Sequence, residues 1–221
     1  MAPAAAAPRW TAGPAAGQIR QFENVPFIEL HQMNVLEDGG DLIFLDDHYW
    51  PVRSPTNNYG RQVPSVTKGG SKYGNHTRHF GAARPVKPKA GDTLRWHCAV
   101  DLGGYHLDTV VACQSGTVMS IHTYHMGTYG MLVSTGAHGP VIHYAEIEKD
   151  SWKEFGVQQG KPVEAGKPIA RIGKMGESSM LHFEMYQPAT TRHASWPRDQ
   201  AAPSKLRDPT KYLLFLAVNG Y

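Results

Sequence analysis

Gly116-Thr117-Val118-Met119-Ser120-Ile121, Tyr129-Gly130-Met131-Leu132-Val133-Ser134 and Pro140-Val141-Ile142-His143-Tyr144-Ala145 are three short apolar runs separated by polar or glycine-containing segments. Runs of this length, rich in β-branched residues and recurring about every ten residues, read as strands, because helices need longer amphipathic stretches. The signal continues in both directions. Trp96 to Leu102 and Thr109 to Ala112 precede it, and Pro168 to Ile172 and Met180 to Tyr186 follow it. Only Lys149 to Phe155 and Pro209 to Val218 read as helices, and both are short. The fold expected is mainly β, an antiparallel sheet with long loops and an N-terminal extension.

Outside this block the signals thin out. Residues 1–17 are rich in Ala, Pro and Gly and read as a flexible arm. Val25 to Leu30 and Asp41 to Leu45 read as short strands with a turn at Gly39-Gly40, and 54–74 and 85–94 read as loops. The chain therefore divides into an arm (1–17), an extension suited to docking (18–74), the β-domain (75–190) and a tail with a short helix (191–221).

Composition narrows the class. Of the 221 residues 41% are hydrophobic and 19% charged, which suits a globular chain and excludes a disordered one. No apolar run approaches the ~20 residues of a membrane-spanning helix. A formal charge of +3, with Lys and Arg scattered, gives little reason to expect nucleic-acid binding and suits a polyanionic cell wall equally well. The two cysteines, Cys98 and Cys113, form no CxxC pair, so a thiolate metal site is not expected. They read as two small buried residues, with a disulfide as the alternative.

Twelve histidines raise the odds of a metal centre, since imidazole is the commonest metal ligand. His97 and Asp101 are four residues apart in Trp-His-Cys-Ala-Val-Asp-Leu-Gly-Gly, a segment without a helix cap. On a straight strand they would sit ~13 Å apart, too far for one ion. Sharing an ion therefore requires a bend or bulge between them. In Met180-Leu181-His182-Phe183-Glu184, alternation places Leu181 and Phe183 on one face and Met180, His182 and Glu184 on the other. Two imidazoles and one carboxylate, with a fourth position open to water, make a workable zinc site. The same donors suit a non-haem iron triad, although there the first pair is usually two residues apart.

The ordered pieces resemble the lysostaphin-type (LytM-like) zinc peptidoglycan endopeptidases. His97-Cys98-Ala99-Val100-Asp101 is similar to their HxGxD segment. Thr109–Ala112, Gly116–Val118 and Tyr129–Val133 resemble the strands that follow. Val157, Gly160, Val163, Gly166, Ile169, Ile172 and Gly173 match a recurring Val/Gly/Ile pattern, and Leu181-His182-Phe183-Glu184 matches the end of an HLHFE signature. The resemblance implies that His97, Asp101 and His182 hold Zn2+, that the substrate is peptidoglycan or its peptides, and that the chain is a hydrolase of cell-wall cross-bridges.

The resemblance fails at two positions. The two histidines that assist catalysis in the family are replaced here by Glu146, in Tyr144-Ala145-Glu146-Ile147, and by Met180. Met180 cannot exchange a proton. Glu146 can serve as a general base, or can close the site as a fourth ligand. His143 is expected to point away, from the opposite face of its strand. The alternative to hydrolysis is a silent relative that keeps zinc and binds wall or protein. The absence of an export-signal pattern at the N-terminus leads to a further expectation: a carrier such as a phage tail or injection apparatus, contacted through residues 1–74, delivers the domain to the wall or periplasm, the alternative being that this region packs onto the β-domain as extra strands.

Overall fold

The computed structural model describes residues 48–53, 78–85 and 89–219. The arm, the strands expected over 25–30 and 41–45, and the loop 54–74 lie outside the described residues. The described strands are β1 (Val52–Arg53), β2 (Ala83–Arg84), β3 (Arg95–Trp96), β4 (Val100–Gly103), β5 (Thr109–Val111), β6 (Gly116–Thr123), β7 (Tyr129–Ser134), β8 (Val141–Ile147), β9 (Pro162–Val163), β10 (Pro168–Arg171), β11 (Met180–Tyr186) and β12 (Leu206–Arg207). One α-helix among the described residues, α1, spans Thr210–Asn219. A short 3-10 helix at Ser151–Phe155 occupies the other stretch expected to be helical.

The main sheet is antiparallel, in the order β12-β11-β8-β7-β6-β9. Strand β4 pairs with the first half of β11, on the edge that β12 takes further along. A smaller sheet runs β1-β5-β10, and β2 pairs with β3. The main sheet is sided as the alternation requires. Val118, Met131, Val133, Ile142, Tyr144, Leu181, Phe183 and Met185 enter the principal core from one face. Trp50, Tyr212, Leu213 and Leu216 join the same core, so α1 and the segment before β1 pack against the β-structure. Helix α1 starts where Asp208 Oδ1 accepts the Thr210 backbone N–H at 2.9 Å, with Pro209 between them. Cys113 lies in this core and Cys98 in a smaller cluster with Leu132, Val141 and Tyr186; both are buried and unbonded.

The opposite face of the main sheet carries polar groups. His182 pairs with Asp101 on one side and Ala145 on the other, and Glu184 pairs with His143. This face positions the site.

Candidate metal centre

The stretch Trp96 to Leu102 is not one strand. Strand β3 ends at Trp96, the chain bends at Ala99, and β4 begins at Val100. That break meets the geometric demand of the four-residue spacing. It is held from outside by residues 78–82: Gly81 N–H donates to the His97 carbonyl at 2.8 Å, and His97 N–H to the Ala82 carbonyl at 2.8 Å. Asp101 N–H donates to the Arg78 carbonyl at 2.9 Å.

Three donor atoms converge as a result. His97 Nε2 and His182 Nδ1 each lie 3.0 Å from Asp101 Oδ1, and the two nitrogens are 3.3 Å apart. Ligands about 2.0–2.1 Å from a tetrahedral zinc ion would be separated by about 3.4 Å. A few tenths of an ångström of expansion would therefore seat the ion. All three residues are buried. Each also has an outer partner. His97 Nδ1 faces the His79 carbonyl at 2.9 Å, His182 Nε2 faces Glu184 Oε1 at 3.0 Å, and Arg84 Nη2 donates to Asp101 Oδ2 at 2.8 Å. Such partners select the tautomer that aims a lone pair at the metal and fix the ring plane.

The charges agree with this geometry. Burial opposes a charged Asp101, but the charge on His97 and hydrogen bonds from both imidazoles hold its carboxyl far below the usual range. Burial pushes His97 down. It would do the same to His182, yet hydrogen bonds to Asp101 and Glu184 raise that imidazole to about 10. The metal-free triad thus shares a proton held mainly by His182, and a metal ion must displace that proton to bind.

Glu146 sits at an irregularity in β8. Tyr129 pairs with Ile147 and Gly130 with Ala145, so Glu146 is the extra residue of a bulge. Its φ is +63°, a left-handed conformation uncommon for a residue with a Cβ. The bulge lets Ile147 return to the core beside Tyr144. Glu146 is buried, and its Oε2 has no hydrogen-bond partner. Burial pushes this carboxyl up to about 7; the charge on His182 opposes the rise and Asp101 adds to it. Glu146 does not belong to the set of donors lying within 4.8 Å of one another, which comprises His97, Asp101 and His182. Met180 lies two residues before His182 and pairs with Gly103.

One expectation is corrected. His143 does not point away from the polar face: its Nδ1 lies 2.5 Å from Glu184 Oε2, and Glu184 in turn holds His182. The bulge at Glu146 breaks the alternation on which the expectation relied, so residues 143 and 146 are not on opposite sides. Sequence reasoning also missed Arg84 and the His79 carbonyl. Both come from a segment far upstream, and no spacing pattern links them to the ligands. Glu184 was legible, since it alternates with His182.

The profile of Peptidase family M23 matches residues 95–195. No curated protein matches the chain. Among solved structures, the chain is similar to Helicobacter pylori Csd3, at 19% identity and a TM-score of 0.41, over 77% of this chain and 40% of that one. It is similar to the catalytic domain of lysostaphin from Staphylococcus simulans, at 22% identity and a TM-score of 0.42, over 61% of this chain and 88% of that one. It is also similar to a mutant catalytic domain of the prophage-encoded M23 protein EnpA of Enterococcus faecalis, at 17% identity and a TM-score of 0.39, over 65% of this chain and 100% of that one. The chain thus spans less than half the length of Csd3.

Proposed function

Residues 95–195 are a domain of peptidase family M23, and from that premise we propose that the chain is a zinc-dependent hydrolase of peptidoglycan peptides. The observation that carries the proposal is the convergence of His97 Nε2, Asp101 Oδ1 and His182 Nδ1, each with an outer partner that fixes its orientation.

His97, Asp101 and His182 would hold the ion. Zinc, when bound, supplies a Lewis acid that polarises a peptide carbonyl and lowers the pKa of water. Glu146 supplies the proton transfer. Burial raises its carboxyl in the metal-free chain, which makes it a stronger base than an ordinary carboxylate for accepting a proton from water and returning it to the leaving amine. Its unpartnered Oε2 leaves that oxygen available for the task. Met180 contributes no proton and takes no such role. In this division of labour, one carboxylate stands in for the two histidines expected from the family resemblance.

Residues 1–74 fit the same proposal as a docking element for a larger carrier, on the composition of the arm and extension alone. Trp50 lies in the principal core and β1 pairs with β5, so the deletion that tests this is residues 1–47, which should abolish association with the carrier and leave zinc binding intact.

The central test is metal content by elemental mass spectrometry with turnover of labelled peptidoglycan, for wild type, Glu146→Gln and Asp101→Asn. Support takes the form of zinc and turnover in wild type, zinc without turnover in Glu146→Gln, and loss in Asp101→Asn of both turnover and the zinc held with His97 and His182. A wild type that holds zinc but cleaves no wall type would overturn the hydrolase in favour of a binding module. No zinc retained by His97, Asp101 and His182 would overturn the ligand assignment itself.

A further inference from the structure

We propose that Arg84 and Arg95 form a subsite for a free carboxylate close to the scissile bond, so that the substrates are acidic peptides. Calling such a peptide a substrate rests on the hydrolase reading; the affinity for a carboxylate does not. Arg84 and Arg95 are direct cross-strand partners in the β2–β3 pair. Such partners share a face, with their Cβ atoms about 5 Å apart.

That face is the one turned to the metal centre. Arg84 Nη2 donates at 2.8 Å to Asp101 Oδ2, the carboxylate oxygen that the two imidazoles do not share. His97 follows Arg95 by two residues, and its N–H continues the ladder to the Ala82 carbonyl at 2.8 Å. Alternation therefore turns Arg95 to the same side as the His97 ring. Trp96, between them, turns the other way and packs against Trp196 and Arg198. The charge on Arg95 reaches the interior of the site. Burial raises the Glu146 carboxyl and the Tyr124 hydroxyl, and Arg95 opposes both rises.

The two guanidinium groups are not equally engaged. Arg84 is anchored by Asp101. Arg95 is half-buried, and its side chain makes no hydrogen bond or ion pair among the described residues. Its neighbour across the ladder is another cation. Like charges directly opposite on a ladder are destabilising, and a cation beside a metal-binding triad opposes the metal as well. A carboxylate seated on the pair offsets both costs. Each guanidinium presents a planar fork that matches a carboxylate with two parallel N–H···O bonds. Arg198, the third arginine packed on these strands, is committed elsewhere: its Nε and Nη2 donate to the carbonyls of Arg95 and Pro85. An extended peptide advances about 3.3 Å per residue. An anion held beside Asp101 would therefore lie within about two residues of a carbonyl polarised at the metal. The same pair of charges draws acidic peptides toward the centre.

Two forms of one ligand test the proposal on the full chain. The probe is a dye-labelled peptidoglycan stem peptide, with its carboxylates free or all converted to carboxamides. Binding is read by fluorescence anisotropy in the Glu146→Gln chain with zinc in the buffer, and cleavage as kcat/KM in the chain that keeps Glu146. The free form should be preferred roughly 10- to 100-fold, the scale of a charge-assisted hydrogen bond. Arg95→Gln should bring that preference close to one. Arg95→Lys keeps the charge and loses the fork, and should leave an intermediate preference. A merely structural Arg95 would weaken both forms alike and leave the ratio unchanged. Selective, Arg95-dependent binding without cleavage would keep the carboxylate site and remove the hydrolase. Equal or absent binding of the two forms, or a preference that survives Arg95→Gln, would overturn the proposal; cleavage of both forms alongside would keep the hydrolase reading.

Discussion

Glu184 stands behind His182, its Oε1 3.0 Å from the ring nitrogen that faces away from Asp101. Burial would raise the Glu184 carboxyl, but His143 and His182 hold it well below the usual carboxylate range, so it remains an anionic acceptor. Removing the charge while keeping the shape should loosen His182 without unfolding the sheet. Glu184→Gln should weaken zinc binding by roughly 10- to 100-fold. Chelator competition measures this, and an unchanged affinity would remove Glu184 from the metal's outer shell.

Glu146 gives a pH signature in the metal-free chain. An unfolded carboxyl titrates near 4.5, whereas the folded one is raised to about 7. Between these values the folded chain holds a proton that the unfolded chain releases. The stability contributed by the protonated group is therefore fully present below 4.5, falls as pH rises, and is lost above 7. The total is on the order of 3 kcal/mol. Denaturant unfolding in excess chelator should show this decline in wild type and a flatter profile in Glu146→Gln.

Gly130→Ala places a methyl group 2.3 Å from His143 Nε2. His143 is buried and tied to Glu184, so it cannot retreat cheaply. The expected cost is roughly 1–3 kcal/mol, in the range of overpacked cores, read as a lower melting temperature of the metal-free chain.

Leu213 in α1 is fully buried in the principal core. Leu213→Ala should cost roughly 2–5 kcal/mol, and chemical denaturation measures it. A loss below about 1 kcal/mol would mean that α1 does not pack firmly on the sheet.

Much of the fold was legible because its strands obey simple rules. Leu181 and Phe183 alternate with His182 and Glu184, and the structure buries the first pair in the core and turns the second to the site. The Val/Gly/Ile pattern also has a physical basis. Val157, Val163, Ile169 and Ile172 are core residues, and Gly166 turns with φ +73°, where a Cβ would strike the Tyr49 ring at 2.6 Å. The bend before β4 could be required from spacing but not located. The bulge at Glu146 was illegible, because one inserted residue changes register without changing composition, and the face assigned to His143 was wrong for that reason. Arg84 and His79 were missed because their link to the site is tertiary.

The two unbonded cysteines offer a reporter of chain motion. Cys98 follows His97 directly, and burial pushes its thiol up to about 12; Cys113 lies in the principal core with its thiol raised further. Neither should react with an alkylating agent while the chain is closed. Their modification rates therefore time two different openings: Cys98 release of the segment that carries the first ligand, and Cys113 exposure of the core. Adding zinc should slow the first clock more than the second if local release, not global unfolding, governs access to Cys98.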